Sequence, residues 1–294
     1  PNSQMPAWIA AHREGRPMYI PDVQAMPPSR AREILQAQGV QSLIAVPILE
    51  AGRGIGFAAA SAFAREGAKV VLAELDETTG RRAAKWIADN GGEATFVQTD
   101  CSRPADVQNL VARTMELYGG LHVLYNNASV FLQDDAAATQ LDEAVWDRVL
   151  RTNLDSVFLC SKYAIPLMIA GGGGAVIHTA SSAGVIGIPG CDAYTAAKGA
   201  TVALTRSMAV AFGPRGVRVN CICPAGVETE MLKQSNLENP DFDSEFFFRR
   251  APLGRFGTPE EIAQVAVFLA SDESSYINGA ILRADGGITI APIS

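Results

Sequence analysis

From Ser42 to Arg283 the chain alternates between two kinds of segment, and that alternation restricts it to very few folds. Short apolar runs at 42–48, 68–73, 94–98, 121–125, 174–178, 218–223 and 280–283 are rich in Val, Ile and Leu. Between them lie helical patterns at 56–66, 77–90, 104–118, 141–169, 194–212 and 259–270. A strand apolar on both sides must be covered on both faces, and a helix after each strand carries the chain back to start the next one in parallel. The expected class is α/β: a doubly wound parallel sheet with helices on both faces. No repeat or low-complexity tract interrupts the pattern, and Gly171–Gly174 is a loop before a strand.

In an open parallel sheet, ligands bind beyond the C-terminal strand ends. Residues suited to a nucleotide fall there. Gly52-Arg53-Gly54-Ile55-Gly56 lies between the first strand and the first helix. Glycines let backbone approach a phosphate there, and the helix start offers free N–H groups and a positive dipole end. The second strand ends at Glu74, about twenty residues after the glycines. A carboxylate there accepts both hydroxyls of an adenosine ribose and repels a 2′-phosphate, which favours NAD over NADP; Arg53, able to pair with a phosphate, pulls the other way. Asp100 and Asn126-Asn127-Ala128 follow the third and fourth strands.

Ser181, Tyr194 and Lys198 supply the chemistry. Tyr194 and Lys198 are four apart and stand on one helix face. A lysine beside a phenol favours phenolate, as a proton carrier near neutral pH requires. Ser181 ends a strand-like run thirteen residues earlier, where a turn brings its hydroxyl back over the helix start. In isolation Tyr-x-x-x-Lys is an ordinary solvated pair; its place in this fold gives it meaning.

A net charge of −7, from 24 basic and 31 acidic residues, argues against nucleic acid or an anionic membrane as partner. No apolar stretch is long enough to span a bilayer, and no basic-apolar-small leader is visible, so a soluble cytoplasmic protein is expected. Five cysteines without a C-x-x-C pair, and three scattered histidines, predict buried reduced thiols and no metal site. Residues 1–44 stand apart. They are rich in Pro and Met, and their one sustained helical pattern runs from Ser29 to Gln38. The stretch from Trp8 through Arg16-Pro17-Met18-Tyr19-Ile20-Pro21-Asp22-Val23 to Gln41–Ile48 resembles about a third of a GAF sensor domain, too little to build that core alone. We therefore expect an extension over 1–44 and a single domain over 45–294.

Taken together, the motifs from Ala51 to Ile290 resemble the short-chain dehydrogenase/reductase family. The matching residues are Gly52-Arg53-Gly54-Ile55-Gly56, Asn126-Asn127-Ala128, Thr152-Asn153-Leu154, Ser181, Tyr194 with Lys198, Arg218-Val219-Asn220 and Asp285-Gly286-Gly287. The resemblance implies a Rossmann-like fold and a catalytic group of Asn153, Ser181, Tyr194 and Lys198, with Asn153 holding a water that links Lys198 to solvent. It implies Gly52, Arg53, Gly54, Ile55 and Gly56 at the pyrophosphate, Glu74 at the ribose and Asp100 with Cys101 at the adenine. It further implies Asn127 and Ala128 along the adenosine ribose, Tyr194 and Lys198 beside the cofactor, and Val227 and Thr229 at the carboxamide. The expected activity is NAD(H)-dependent interconversion of a secondary alcohol and a ketone, in a homotetramer. Phe242, Phe246, Phe247 and Phe248 in the segment after Thr229 suit either a lid over an apolar or cyclic substrate or a contact with a neighbouring subunit.

Some positions depart from the pattern. Leu49 and Glu50 stand where the family has Thr-Gly, and Pro47 lies inside the expected central strand, where a missing N–H would break the ladder. These changes predict a GAF-like segment joined to the domain within Leu49–Phe57, and weakened NAD binding. The alternative reading that follows is a catalytically impaired nucleotide-binding or scaffold protein with a damaged phosphate loop. Ser129 and Ala225 replace glycines.

Overall fold

Val70, Val71, Leu72 and Ala73 are fully buried in succession, so their strand is sandwiched between two layers of helix, as its unbroken apolar run requires. In the computed structural model, which describes residues 42–46, 54–233 and 248–291, seven strands form one sheet. They are β1 (Ser42–Val46), β2 (Lys69–Glu74), β3 (Glu93–Gln98), β4 (Val123–Asn126), β5 (Gly174–Thr179), β6 (Val217–Pro224) and β7 (Ile281–Ala284). Their order is β3-β2-β1-β4-β5-β6-β7, and every neighbouring pair is parallel.

The main helices are α1 (Ile55–Arg65), α2 (Glu77–Asp89), α3 (Pro104–Tyr118), α4 (Glu143–Leu150), α5 (Ser156–Ala170), α6 (Asp192–Phe212) and α7 (Pro259–Ala270). One face of the sheet is covered by α1, α2 and α7, whose Phe63, Ile87 and Leu269 share a core with Leu72 and Tyr125. The other face carries α3, α5 and α6, where Leu110, Ile165 and Met208 meet Val71, Leu124 and Val219. The strand order reverses between β1 and β4, which opens the crevice where such folds take ligands.

Helix starts follow from their residues. Before α7, the Thr258 hydroxyl accepts from the Glu261 N–H and the Glu261 carboxylate accepts from the Thr258 N–H, a reciprocal cap with Pro259 in the first turn. Gly54 precedes α1 with φ 149°, a backbone angle that glycine adopts freely.

The described part of β1 is Ser42–Val46, and its pairs with β2 and β4 fall within those residues. Pro47, Leu49 and Glu50 lie outside the described residues, as do 1–41 with their GAF-like stretch and Ser29–Gln38 helix. The strand straddles the expected boundary at 45, since it begins at Ser42. Among the described residues no helix is long and apolar enough to cross a membrane, and no three His, Cys, Asp or Glu side chains group as metal ligands.

Candidate active site

Tyr194 and Lys198 project from the first turns of α6 toward the end of β5, where Ser181 follows Thr179. Lys198 is buried, and its ammonium donates to the Thr179 carbonyl at 3.1 Å while lying 5.6 Å from the centre of the Tyr194 ring. The Ser181 Oγ accepts from the Ala183 N–H at 3.2 Å, which leaves its own proton free to point elsewhere. That hydroxyl reaches the Tyr194 phenol, as does the hydroxyl of Ser129. Three groups distant in sequence therefore converge as their spacing predicted.

The electrostatics differ from that prediction. Burial pushes the Tyr194 phenol above its ordinary pKa, and the nearby Ser181 and Ser129 hydroxyls only partly pull it back. The neighbouring ammonium does not reverse this, because a phenolate here loses its water. Burial also lowers Lys198 to about 8.

Asn153 is buried in a wide turn (Arg151–Asp155) between α4 and α5. Its side-chain oxygen accepts from the Val130 N–H at 2.7 Å and its amide donates to the Val130 carbonyl at 2.8 Å. Both ends of the side chain thus clamp the loop after β4. The clamped loop wraps the tyrosine. The Phe131 ring meets the Tyr194 ring edge-on at 5.1 Å. Asp135, itself buried, accepts from the Ala193 N–H at 3.1 Å and the Tyr194 N–H at 2.8 Å. It thereby caps α6, whose preceding residue Cys191 offers no side-chain cap. Sequence reading missed Asp135 as a partner of Tyr194; it has no local signal, since it lies 59 positions away.

The nucleotide end is partly described. Gly54, Ile55 and Gly56 stand at the start of α1, whereas Gly52 and Arg53 lie outside the described residues. Glu74 is buried, and burial raises its pKa. One carboxylate oxygen accepts from the Leu75 and Asp76 N–H groups at 2.7 and 3.1 Å; the other, equally buried, has no partner. That orphaned acceptor at a strand end fits a ribose hydroxyl. Asp100 accepts from the Ser102 N–H and hydroxyl, and Cys101 is buried against Cys160. Tyr125 donates to the Asn127 side-chain oxygen at 3.3 Å, and Ala128 is buried beside it. Val227 is buried and bridged to Gly257, while the Thr229 hydroxyl accepts from the Leu232 N–H. A cavity of about 560 Å³ runs from Gly54 to Thr229 without touching Ser181, Tyr194 or Lys198. The Ser181, Tyr194 and Lys198 cluster and this cavity are separate features.

A family model described as enoyl-(acyl carrier protein) reductase, a branch of the short-chain dehydrogenases, matches residues 50–289. The chain is a short-chain dehydrogenase/reductase. The 2-(S)-hydroxypropyl-CoM dehydrogenase 3 of Xanthobacter autotrophicus is a relative 40% identical over 83% of this chain and 96% of its own. Another is the cyclohexanol dehydrogenase of an Acinetobacter species, 33% identical over 82% of this chain and 93% of its own. Among solved structures, one described as an NAD(P)-dependent gluconate 5-dehydrogenase from Beutenbergia cavernae, with bound NADP at low occupancy, aligns with a TM-score of 0.77. It is 34% identical and covers 84% of this chain and 96% of that one. As a short-chain dehydrogenase/reductase the chain is an oxidoreductase of small molecules that uses a nicotinamide nucleotide.

Of the four phenylalanines in the segment after Thr229, Phe242, Phe246 and Phe247 lie outside the described residues. Phe248 packs its ring on Phe256 at 4.9 Å.

Proposed function

We propose that this dehydrogenase, within residues 45–294, interconverts a secondary alcohol and a ketone with NAD(H), and that its best substrates are apolar or cyclic. One observation carries the reading: the hydroxyl of Ser181, the phenol of Tyr194 and the ammonium of Lys198 meet at the crevice end of the sheet. Bound nicotinamide supplies the hydride acceptor or donor. The protein's own residues move the proton. Tyr194 takes it from the alcohol oxygen or returns it to the ketone oxygen, Ser181 donates to that oxygen and stabilises charge building there, and Lys198 holds positive charge near the phenol.

NAD is preferred over NADP on this reading because the unpartnered Glu74 oxygen accepts a ribose hydroxyl and repels a phosphate at the same place. Gly54, Ile55 and Gly56, with Gly52 and Arg53, take the pyrophosphate. Asp100 and Cys101 border the adenine, Asn127 and Ala128 the ribose, and Val227 and Thr229 the carboxamide. An apolar substrate is supported by Phe131 against the tyrosine and by the exposed Val185 and Ile188 in the segment that follows Ser181. The named activity of the cyclohexanol dehydrogenase relative points the same way. A homotetramer is supported by exposed Phe158 and Val210 on α5 and α6, with a 280 Å³ hollow between those helices.

Fluorescence titration with NAD and NADH, followed by a screen of cyclic secondary alcohols for NADH formation, tests the reading. Turnover that vanishes in Tyr194→Phe is the expected result. Nucleotide binding with no turnover of any alcohol or ketone would move the chain to the alternative, an idle nucleotide-binding protein.

A further inference from the structure

Ser129 holds a side chain that the fold does not use. It comes just after the Asn126-Asn127-Ala128 run at the end of β4 and is 8% exposed. Its hydroxyl makes no hydrogen bond that meets ordinary geometry. A buried hydroxyl without a partner is destabilising and asks for an explanation. The next residue, Val130, is gripped at both its N–H and its carbonyl by Asn153, which fixes the backbone on which Ser129 sits. Two residues on, Phe131 lies against the Tyr194 ring, so the loop carrying Ser129 is already docked on the tyrosine.

We propose that Ser129 is a further catalytic residue: its hydroxyl donates to the phenolate oxygen of Tyr194 from the β4 side, while Ser181 donates from the β5 side. The inference rests on the alcohol–ketone reading above. In the resting protein the phenol is protonated and the Ser129 hydroxyl lies near it without an aligned bond. When Tyr194 gives up its proton, the phenolate becomes a strong acceptor and that bond tightens. The groups facing the phenol are Lys198 and Cys191 of its own helix region, Ser181 after β5, Cys223 of β6 and Asp135 at its backbone N–H. Among the described residues, Lys198, Ser181 and Ser129 favour phenolate, and Cys191 and Cys223 oppose it. Removing one of so few donors therefore shifts the phenol.

Ser129→Ala and Ser129→Gly should move the acidic limb of the alcohol-oxidation profile upward by about 0.5–1 pH unit. Below that limb kcat should fall about three- to tenfold, with KM unchanged. Ser129→Thr, which keeps the hydroxyl, should restore the wild-type profile. The Tm of Ser129→Ala should stay level or rise, because an orphaned polar group is removed. A profile that superimposes on wild type, or a fall in Tm with no shift of the limb, would overturn the proposal. Failure of the underlying reading is distinguishable, since it appears as no alcohol oxidation by the wild-type protein. In that case Tyr194 ionisation, read as the ultraviolet difference between proteins with and without Tyr194→Phe, must still move to higher pH in Ser129→Ala. An unmoved ionisation refutes the role of Ser129.

Discussion

Tyr194→Phe removes one oxygen and with it the only phenol among the converging groups. Turnover should fall by roughly a hundredfold or more, in line with the loss of a general acid–base catalyst. A steady-state assay on the best substrate checks this, and near-normal turnover would dismiss Tyr194 as the proton carrier. Glu74 makes a second, independent prediction. Its free carboxylate oxygen is buried and unpartnered at the end of β2, so its charge acts at short range. Glu74→Gln keeps the shape and removes that charge. The ratio of kcat/KM for NAD to that for NADP should then drop about 10- to 100-fold, equivalent to ~1.4–3 kcal/mol. An unchanged ratio would show that another residue selects the nucleotide. Both residues were legible in the sequence because their signals are short: a spacing of four on a helix, and a carboxylate at a strand end. Ser129 was visible only as a glycine replaced; its burial beside the phenol needed the fold.

Among the elements, α6 shows how legibility ends. α7 announces its start with Thr258, Pro259 and Glu261, and the sequence places it at its observed bounds. α6 has no such cap nearby in the chain, and the helix begins two residues before the expected Tyr194. Its capping carboxylate is Asp135, supplied across the fold from the loop after β4. Asp135→Ala should leave two N–H groups without acceptors at the turn that carries the tyrosine. The expected cost is about 1–2 kcal/mol of stability, together with lower kcat as Tyr194 loses its fixed place. Thermal denaturation and a kinetic assay of the same preparation read both; stability lost without any change in kcat would separate the cap from catalysis. The wide turn at Arg151–Asp155 was equally hidden, because the apolar pattern runs through 141–169 without a break. Its effect is to seat Asn153 facing Val130.

At the scale of the whole molecule, one buried ring makes stability sensitive to acid. His178 in β5 is fully buried, takes an Asn126 side-chain contact at one nitrogen and has no partner at the other. Burial lowers its pKa from 6.5 to about 3. Between those values the unfolded chain binds a proton that the folded chain refuses, so stability declines as pH falls from 6.5 toward 3. The loss reaches roughly 4–5 kcal/mol at the lower end. Urea unfolding of wild type and His178→Gln across that range should show the gap between them closing in acid; a constant gap would rule the mechanism out. The parallel sheet and its two helical layers were legible from periodicity, but strand order was not, because pairing between distant strands leaves no mark on either. That order gives one strand an outsized part. β1 is hydrogen-bonded on both flanks at the middle of the sheet, yet Ser42–Val46 precedes the residues that the family model matches. A chain trimmed to start at residue 50 would look complete by homology and would carry an empty slot through its centre. Two raw edges would face each other there, and such a protein should precipitate or borrow a strand from elsewhere.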